Sequence, residues 1–292
     1  MSLSLHEAAR EKADQAIFIT GSARSGTTIM GKLIHSLQGV EYSFEPPTLF
    51  SLIPLIYQME KAQWQLLFRT YLYEDFYVNA ISGRNLNFNP NDDSYILNAK
   101  SSELIKERHS ASYRKGTIDK QSANGNIALK MPDMVPFLAE LNEFFPDLRL
   151  ITMTRNPLAV INSLLHKAWY SDHALKNENR VYPNRTYKSF RLPFWLKEED
   201  YDYWLGLDEI NRCAYYISVM EPPKVKNDQI LVNYEAFVQS PRSTLDEICS
   251  QFGLRYGEKT EEILATIKPT STKVVISKNQ IIPELKARIG LA

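Results

Sequence analysis

With 292 residues, 44% of them hydrophobic and 11% aromatic, the chain has ample material for a packed core and is excluded from the disordered class. Lys plus Arg and Asp plus Glu each total 34, so the formal charge is zero. That excludes a global attraction to nucleic acid or anionic membrane, and any anion binding must come from a local cluster.

Residues 1–15 carry Glu7, Arg10, Glu11, Lys12 and Asp14, too polar for the apolar core of a secretory signal. No run reaches the ~20 apolar residues of a membrane span. A soluble, cytoplasmic chain is expected, unless an upstream segment was removed. Cys213 and Cys249 form no disulfide or metal framework and read as buried thiols of a reducing compartment.

Residues 16–34 organise the rest. Ala16, Ile17, Phe18 and Ile19 are a short apolar run, suited to a strand buried on both faces of a parallel sheet. A small-residue turn from Gly21 to Gly26 follows. Ile29, Met30, Leu33 and Ile34 then recur at helical spacing. Strand, glycine-rich turn and helix start together make an anion cradle, because open backbone N–H groups and the helix dipole both favour negative charge. Gly21-x4-Gly26 has the spacing of a phosphate loop. The Lys of a nucleoside-triphosphatase loop is missing, since Thr27 and Thr28 follow Gly26. Arg24 supplies a cation inside the turn instead. Ser25, Thr27 and Thr28 give more hydroxyls than helix capping needs.

Val40, Tyr42 and Phe44 read as a second strand, stopped by Pro46 and Pro47, which leaves Glu45 at its C-terminal end. In open α/β sheets, sites gather at such ends. Residues 48–72 read as two helices covering the sheet, and 83–91 as a loop. Residues 92–124, with Lys100, Lys106 and Arg108, read as a solvated helix and surface loop. Ile127, Ala128 and Leu129 form a third strand ending at Lys130-Met131-Pro132. Asp133 is a plausible N-cap for a helix bearing Phe137, Leu138, Leu141 and Phe144.

A fourth strand, 148–153, leads into Thr154-Arg155-Asn156-Pro157 and a helix carrying Asn162 and Ser163. Arg155 therefore stands at a strand end just before a helix start, a second anion site of the same design. Residues 169–204 have no clean period and mix aromatics with Arg180, Arg185, Lys188, Arg191 and Lys197. Loops this long are commonly functional, and the aromatics argue against disorder, so a lid or acceptor-binding insertion is expected. A helix over 208–220, a fifth strand over 229–233 ending at Tyr234, a helix opened by Pro241 and closed by Gly253, and a short helix over 258–267 complete the chain. Strands alternating with helices predict an α/β fold over 1–292 as a single domain. Its central sheet is mainly parallel and flanked by helices, and its nucleotide-binding core is P-loop-like.

Arg24-Ser25-Gly26-Thr27-Thr28 after a strand resembles the 5′-phosphosulfate loop of sulfotransferases that use 3′-phosphoadenosine 5′-phosphosulfate (PAPS). Arg155 and Ser163 match that family's pair for the 3′-phosphate. Tyr234, in Val232-Asn233-Tyr234-Glu235, resembles the tyrosine near the adenine. Leu129-Lys130-Met131-Pro132 resembles a strand end of the sugar and protein sulfotransferases. Lys273 is a candidate for the basic segment that closes over the nucleotide. The catalytic His of cytosolic members is replaced here by Lys130, which leaves Glu45 as candidate base. His35, His109 and His166 read as structural or surface residues, with His173 held in reserve.

The resemblance implies sulfuryl transfer to a hydroxyl or amine, with 3′,5′-adenosine bisphosphate as product. Glu45 would take the proton while Arg24 and Lys130 stabilise the sulfuryl oxygens and leaving phosphate, with no metal required. The expected partner is a small-molecule, sugar or lipid acceptor; the aromatic and basic insertion suggests an anionic or sugar-like one, and a protein tyrosine stays open. Two other classes stay open: a kinase- or NTPase-like phosphoryl transferase, and a non-catalytic nucleotide-binding module.

Overall fold

Ile17, Phe18 and Ile19 are fully buried, and they belong to two different cores. Successive side chains of a strand point to opposite faces, so burial at every position needs cover on both sides. The computed structural model describes residues 3–110, 123–177, 183–223, 229–269 and 275–291. There the run becomes strand β1 (Ile17–Gly21) at the centre of a five-stranded sheet.

Strands β2 (Val40–Phe44), β3 (Asn126–Lys130), β4 (Arg149–Thr154) and β7 (Gln229–Asn233) complete that sheet in the order β2-β3-β1-β4-β7. Every neighbouring pair is parallel. β5 (Asn184–Tyr187) and β6 (Phe190–Pro193) form a separate antiparallel hairpin within the aromatic segment.

One face of the sheet buries Ile17, Ile19, Ala128, Ile151 and Met153 against the helices Thr27–Ser36 and Pro241–Phe252. The other buries Phe18, Ile127, Leu129 and Leu150 against helices that include Leu138–Phe144, Pro157–Lys167 and Glu209–Val219. The fold class is therefore α/β with a parallel sheet between two helical layers, as the alternation of elements predicts. No helix among the described residues is long and apolar enough to cross a membrane.

The register brings the strand ends level: Phe44 lies opposite Lys130, Gly21 opposite Met153, and Thr154 opposite Asn233. The residues that follow these strands thus emerge along one edge of the sheet.

Two expectations need correction. Lys100 and Arg108 are not solvated; each is buried. Lys100 donates to the carbonyls of His35 (2.8 Å), Leu37 (3.2 Å) and Val40 (2.7 Å), neutralising the open carbonyl end of the helix Thr27–Ser36. Burial pushes its pKa down to about 8. Arg108 forks onto the buried Glu41 carboxylate and also donates to the Ala80 carbonyl at 3.1 Å. Paired this way, a buried cation is tolerable. Asp133, in turn, caps no helix. Its backbone is left-handed (φ 67°), and the next helical turn, Val135–Phe137, starts after Met134.

Candidate active site at the ends of the parallel strands

The turn after β1 is shaped by two glycines. At Gly21 (φ 135°) a Cβ would stand 2.2 Å from the Met153 carbonyl oxygen, so only glycine lets β1 leave the sheet this close to β4. At Gly26 (φ 94°) a Cβ would stand 2.4 Å from the Tyr234 ring. Ser25 is fully buried, and its amide and hydroxyl both donate to the Ser22 carbonyl, which draws the turn tight. No side chain caps the start of the helix Thr27–Ser36 among the described residues. Its first N–H groups are the open donors that suit an anion.

The second turn expected to suit an anion lies against the first. Asn156 caps the helix Pro157–Lys167 by accepting from the Ala159 amide at 3.2 Å. Just before it, Arg155 donates to the Arg24 carbonyl at 2.8 Å, and its guanidinium lies 4.4 Å from the centroid of the Tyr234 ring. Arg24 donates through Nε to the Ser163 hydroxyl at 3.0 Å. A cavity of about 260 Å³ is lined by Arg24, Gly26, Thr27, Thr28, Arg155 and Tyr234. Lys32, which the sequence reading passed over, also lines it and pairs with Asp93 at 2.7 Å. Lys273 lies outside the described residues.

Glu45 and Lys130 follow and end the adjacent strands β2 and β3, and their side chains form an ion pair. Lys130 is 3% exposed and Glu45 36%, so the lysine is shielded while the carboxylate meets solvent. Lys130 Nζ also sits 4.4 Å from the Phe44 ring centroid. Both residues line a cavity of about 330 Å³ that shares Arg24, Thr27 and Thr28 with the first cavity. Its walls are the aromatics Phe50, Trp169, Tyr170, Phe194 and Trp195, four of them from residues 169–204.

The described cations of that segment do not line the cavity. Arg185 turns to the Tyr201 hydroxyl (3.1 Å) and Glu198 (3.6 Å), and Lys188 to Asp202 (2.6 Å). His173 bonds Asn177 and lies away from both cavities.

Asp133 also lines the larger cavity, which its reading as a helix cap missed. Its Oδ1 accepts from the Ala23 amide at 3.1 Å and from the Tyr216 hydroxyl. Burial pushes its pKa up to about 6, with Glu45 adding to the rise, while Tyr216, Ala23 and Lys130 pull the other way. The available signal was an acidic residue one place beyond a proline-terminated strand. Tyr216 gave none, being one aromatic among many in a buried helix.

Five described non-glycine residues have left-handed backbones, and Arg24, Glu45 and Asp133 are three of them. They follow three neighbouring strands and line one cavity. Such conformations cost on the order of 1–3 kcal/mol each and persist where packing holds them.

No curated protein matches the chain by sequence. Among solved structures, the chain is similar to sulfotransferase STF9 from Mycobacterium avium, at 12% identity and a TM-score of 0.48, covering 94% of this chain and 75% of that one. It is also similar to the sulfotransferase domain of the Synechococcus PCC 7002 olefin synthase, at 20% identity and a TM-score of 0.42, covering 92% and 85%. A family model described as "Sulfotransferase family" matches residues 16–258, which takes in the whole parallel sheet and the turns that follow β1 and β4. The chain belongs to the sulfotransferase family and is, by that membership, a sulfuryl transferase.

Proposed function

We propose that the protein transfers the sulfuryl group of PAPS to a hydroxyl or amine of a small-molecule or carbohydrate acceptor by in-line displacement, releasing 3′,5′-adenosine bisphosphate. The observation that carries this reading is the junction of two cavities at Arg24, Thr27 and Thr28. One cavity is cationic and roofed by Tyr234. The other holds a solvent-facing carboxylate among aromatics. A group held at the junction is within reach of both.

The residues present fit the donor. Gly26 keeps open, beneath Tyr234, a cradle that a Cβ would fill. In this reading the amides at the start of the helix Thr27–Ser36, with Ser25, Thr27 and Thr28, hold the 5′-phosphosulfate. Arg155 and Ser163 select the 3′-phosphate, and Tyr234 lies beside the adenine. Lys273 is a further candidate for the closing segment. The donor supplies an activated sulfuryl group; everything else is positioning and electrostatics.

Glu45 takes the proton of the attacking hydroxyl as the new oxygen–sulfur bond forms and the bond from sulfur to the phosphate oxygen breaks. Arg24 and Lys130 offset the charge that builds on the leaving phosphate and the sulfuryl oxygens. The ion pair holds the Glu45 carboxylate at the mouth of the loop. Residues 169–204 act as the acceptor-binding insertion of one domain, supported by the four aromatics they place in the cavity wall. A cytoplasmic workplace is supported by the buried free thiols Cys213 and Cys249.

Titration with 3′,5′-adenosine bisphosphate and with ATP, followed by labelled-sulfate transfer over a panel of phenols, sugars, lipids and amines, tests the reading. Tight binding of the bisphosphate with transfer to at least one acceptor is expected. Metal-dependent ATP turnover without sulfuryl transfer would replace the reading with a phosphoryl transferase. Nucleotide binding with no transfer to any acceptor would leave a binding module.

A further inference from the structure

Among the described residues, the acceptor cavity contains one charged group that sulfuryl transfer does not use. Arg24, Thr27 and Thr28 belong to the donor side, and Lys130 is tied to Glu45. Asp133 remains. Its left-handed backbone, one residue beyond Pro132, turns the carboxylate so that both of its side-chain hydrogen bonds converge on Oδ1. Among the described residues, Oδ2 takes no hydrogen bond. Asp133 is half-buried and lines the cavity, and a carboxylate has about four acceptor positions, so Oδ2 is left to accept from a bound molecule.

The same residues that wall the cavity hold this carboxylate still. The Tyr216 ring, whose hydroxyl donates to Asp133, lies 5.5 Å from Tyr170 and 5.2 Å from Trp195, centroid to centroid. Both of those rings face the cavity. The site is thus a fixed carboxylate in an aromatic enclosure, beside the candidate base. A partly desolvated carboxylate attracts a hydrogen-bond donor strongly, and ring faces favour a cationic one. The described basic side chains of residues 169–204 do not line this space, Arg185 turning to Tyr201 and Lys188 to Asp202.

Resting on the sulfuryl-transfer reading above, we infer that Asp133 selects the acceptor. It binds a second hydrogen-bond donor, a hydroxyl or an ammonium, on a compact apolar alcohol whose reacting hydroxyl faces Glu45. A cavity of about 330 Å³ suits a single-ring molecule rather than a polymer chain. Hydrogen bonds to a charged group are worth ~1.5–3 kcal/mol, or roughly 10–100-fold in discrimination.

The test uses matched pairs with the full-length enzyme and PAPS: resorcinol against 3-methoxyphenol, and 4-(aminomethyl)phenol against 4-ethylphenol. The wild-type protein is expected to prefer the first member of at least one pair by about tenfold or more in kcat/KM. Asp133→Asn keeps an oxygen for Tyr216 and Ala23 but removes the charge, and the ratio should fall toward one. Preference in both pairs assigns the shared donor chemistry; preference in the amine pair alone assigns the ammonium. The wild-type ratios need no variant, so a misfolded Asp133→Asn protein leaves the test intact. Equal use of both members by the wild type, or an unchanged ratio in Asp133→Asn, overturns the inference. So does failure of all four compounds to react or compete while 3′,5′-adenosine bisphosphate binds, and that outcome leaves sulfuryl transfer standing. Absence of bisphosphate binding would overturn the underlying reading itself.

Discussion

Arg24 Nε donates to the Ser163 hydroxyl at 3.0 Å, joining two residues 139 positions apart in the chain. Arg155 returns the link by donating to the Arg24 carbonyl. The two helix starts that each suit an anion are therefore one surface, with Tyr234 lying over Arg155 and against Gly26. In the proposed function, a nucleotide with an anionic group at each end would meet donors already fixed relative to each other, which lowers the ordering cost of binding.

Arg155→Ala should weaken 3′,5′-adenosine bisphosphate by roughly 10–100-fold, the loss of a charge-assisted hydrogen bond, and adenosine 5′-monophosphate much less. Calorimetric titration of the two nucleotides against wild type and variant measures the difference. Equal losses for both would remove Arg155 from the 3′-phosphate.

Glu45→Gln keeps a hydrogen-bonding oxygen for Lys130 but cannot take a proton. Turnover should fall by ~10²–10⁴, the usual contribution of a general base, with bisphosphate affinity changed less than about threefold. Steady-state transfer assays beside nucleotide titration separate the two effects. Wild-type turnover in Glu45→Gln would take Glu45 out of the base role.

Gly26→Ala puts a Cβ into the Tyr234 ring and asks alanine to hold φ 94°. A cost of about 1–3 kcal/mol is expected, read as a lower Tm together with weakened nucleotide binding. Adding Tyr234→Ala to Gly26→Ala relieves the collision but not the backbone conformation, so recovery should be partial. Full recovery would show that the collision alone matters.

Asp133 gives a pH signature. Its pKa is raised from an ordinary 3.8 to about 6, so as pH rises the unfolded chain loses this proton first. The folded protein binds more protons in that window, and stability falls from about pH 4 to pH 6. Above pH 6 the loss is complete, at most about 3 kcal/mol. Asp133→Asn removes the titration, so its stability relative to wild type should rise across pH 4 to 6 and then level off. Denaturant unfolding of both proteins over pH 4–8 checks this. A flat difference would place Asp133 in a more solvated setting.

Much of the frame could be read from residue order. All five parallel strands are legible to within a residue or two: β1, β3 and β4 as nearly apolar runs buried on both faces, β2 from the alternation of Val40, Tyr42 and Phe44, and β7 as a short run that is exposed at Leu231 and Asn233. Glu45 and Arg155 are legible because each stands where a strand ends, Arg24 because it is the cation of the turn after β1, and Lys130 through the resemblance of Leu129-Lys130-Met131-Pro132. Asp133 stands there too, but its spacing to an apolar helical run equally suits a cap, and only the left-handed turn reveals otherwise. Lys100 and Arg108 misled for another reason. Burial of a cation depends on carbonyls and a carboxylate from distant segments, namely the helix end at His35 and Leu37, and Glu41 on β2. No local pattern carries that information. Nor does composition tell which side chains of residues 169–204 face the cavity: that segment contributes Trp169, Tyr170, Pro193, Phe194 and Trp195, and none of its described cations.

Arg24, Glu45 and Asp133 hold conformations that the surrounding packing must impose. Whatever loosens that packing lets these three turns relax before the sheet itself opens. Gentle heating should therefore erase ligand recognition while most of the secondary structure endures, and a search for hardier variants by melting temperature alone would favour replacements that soften this rim and leave the enzyme sturdy but idle.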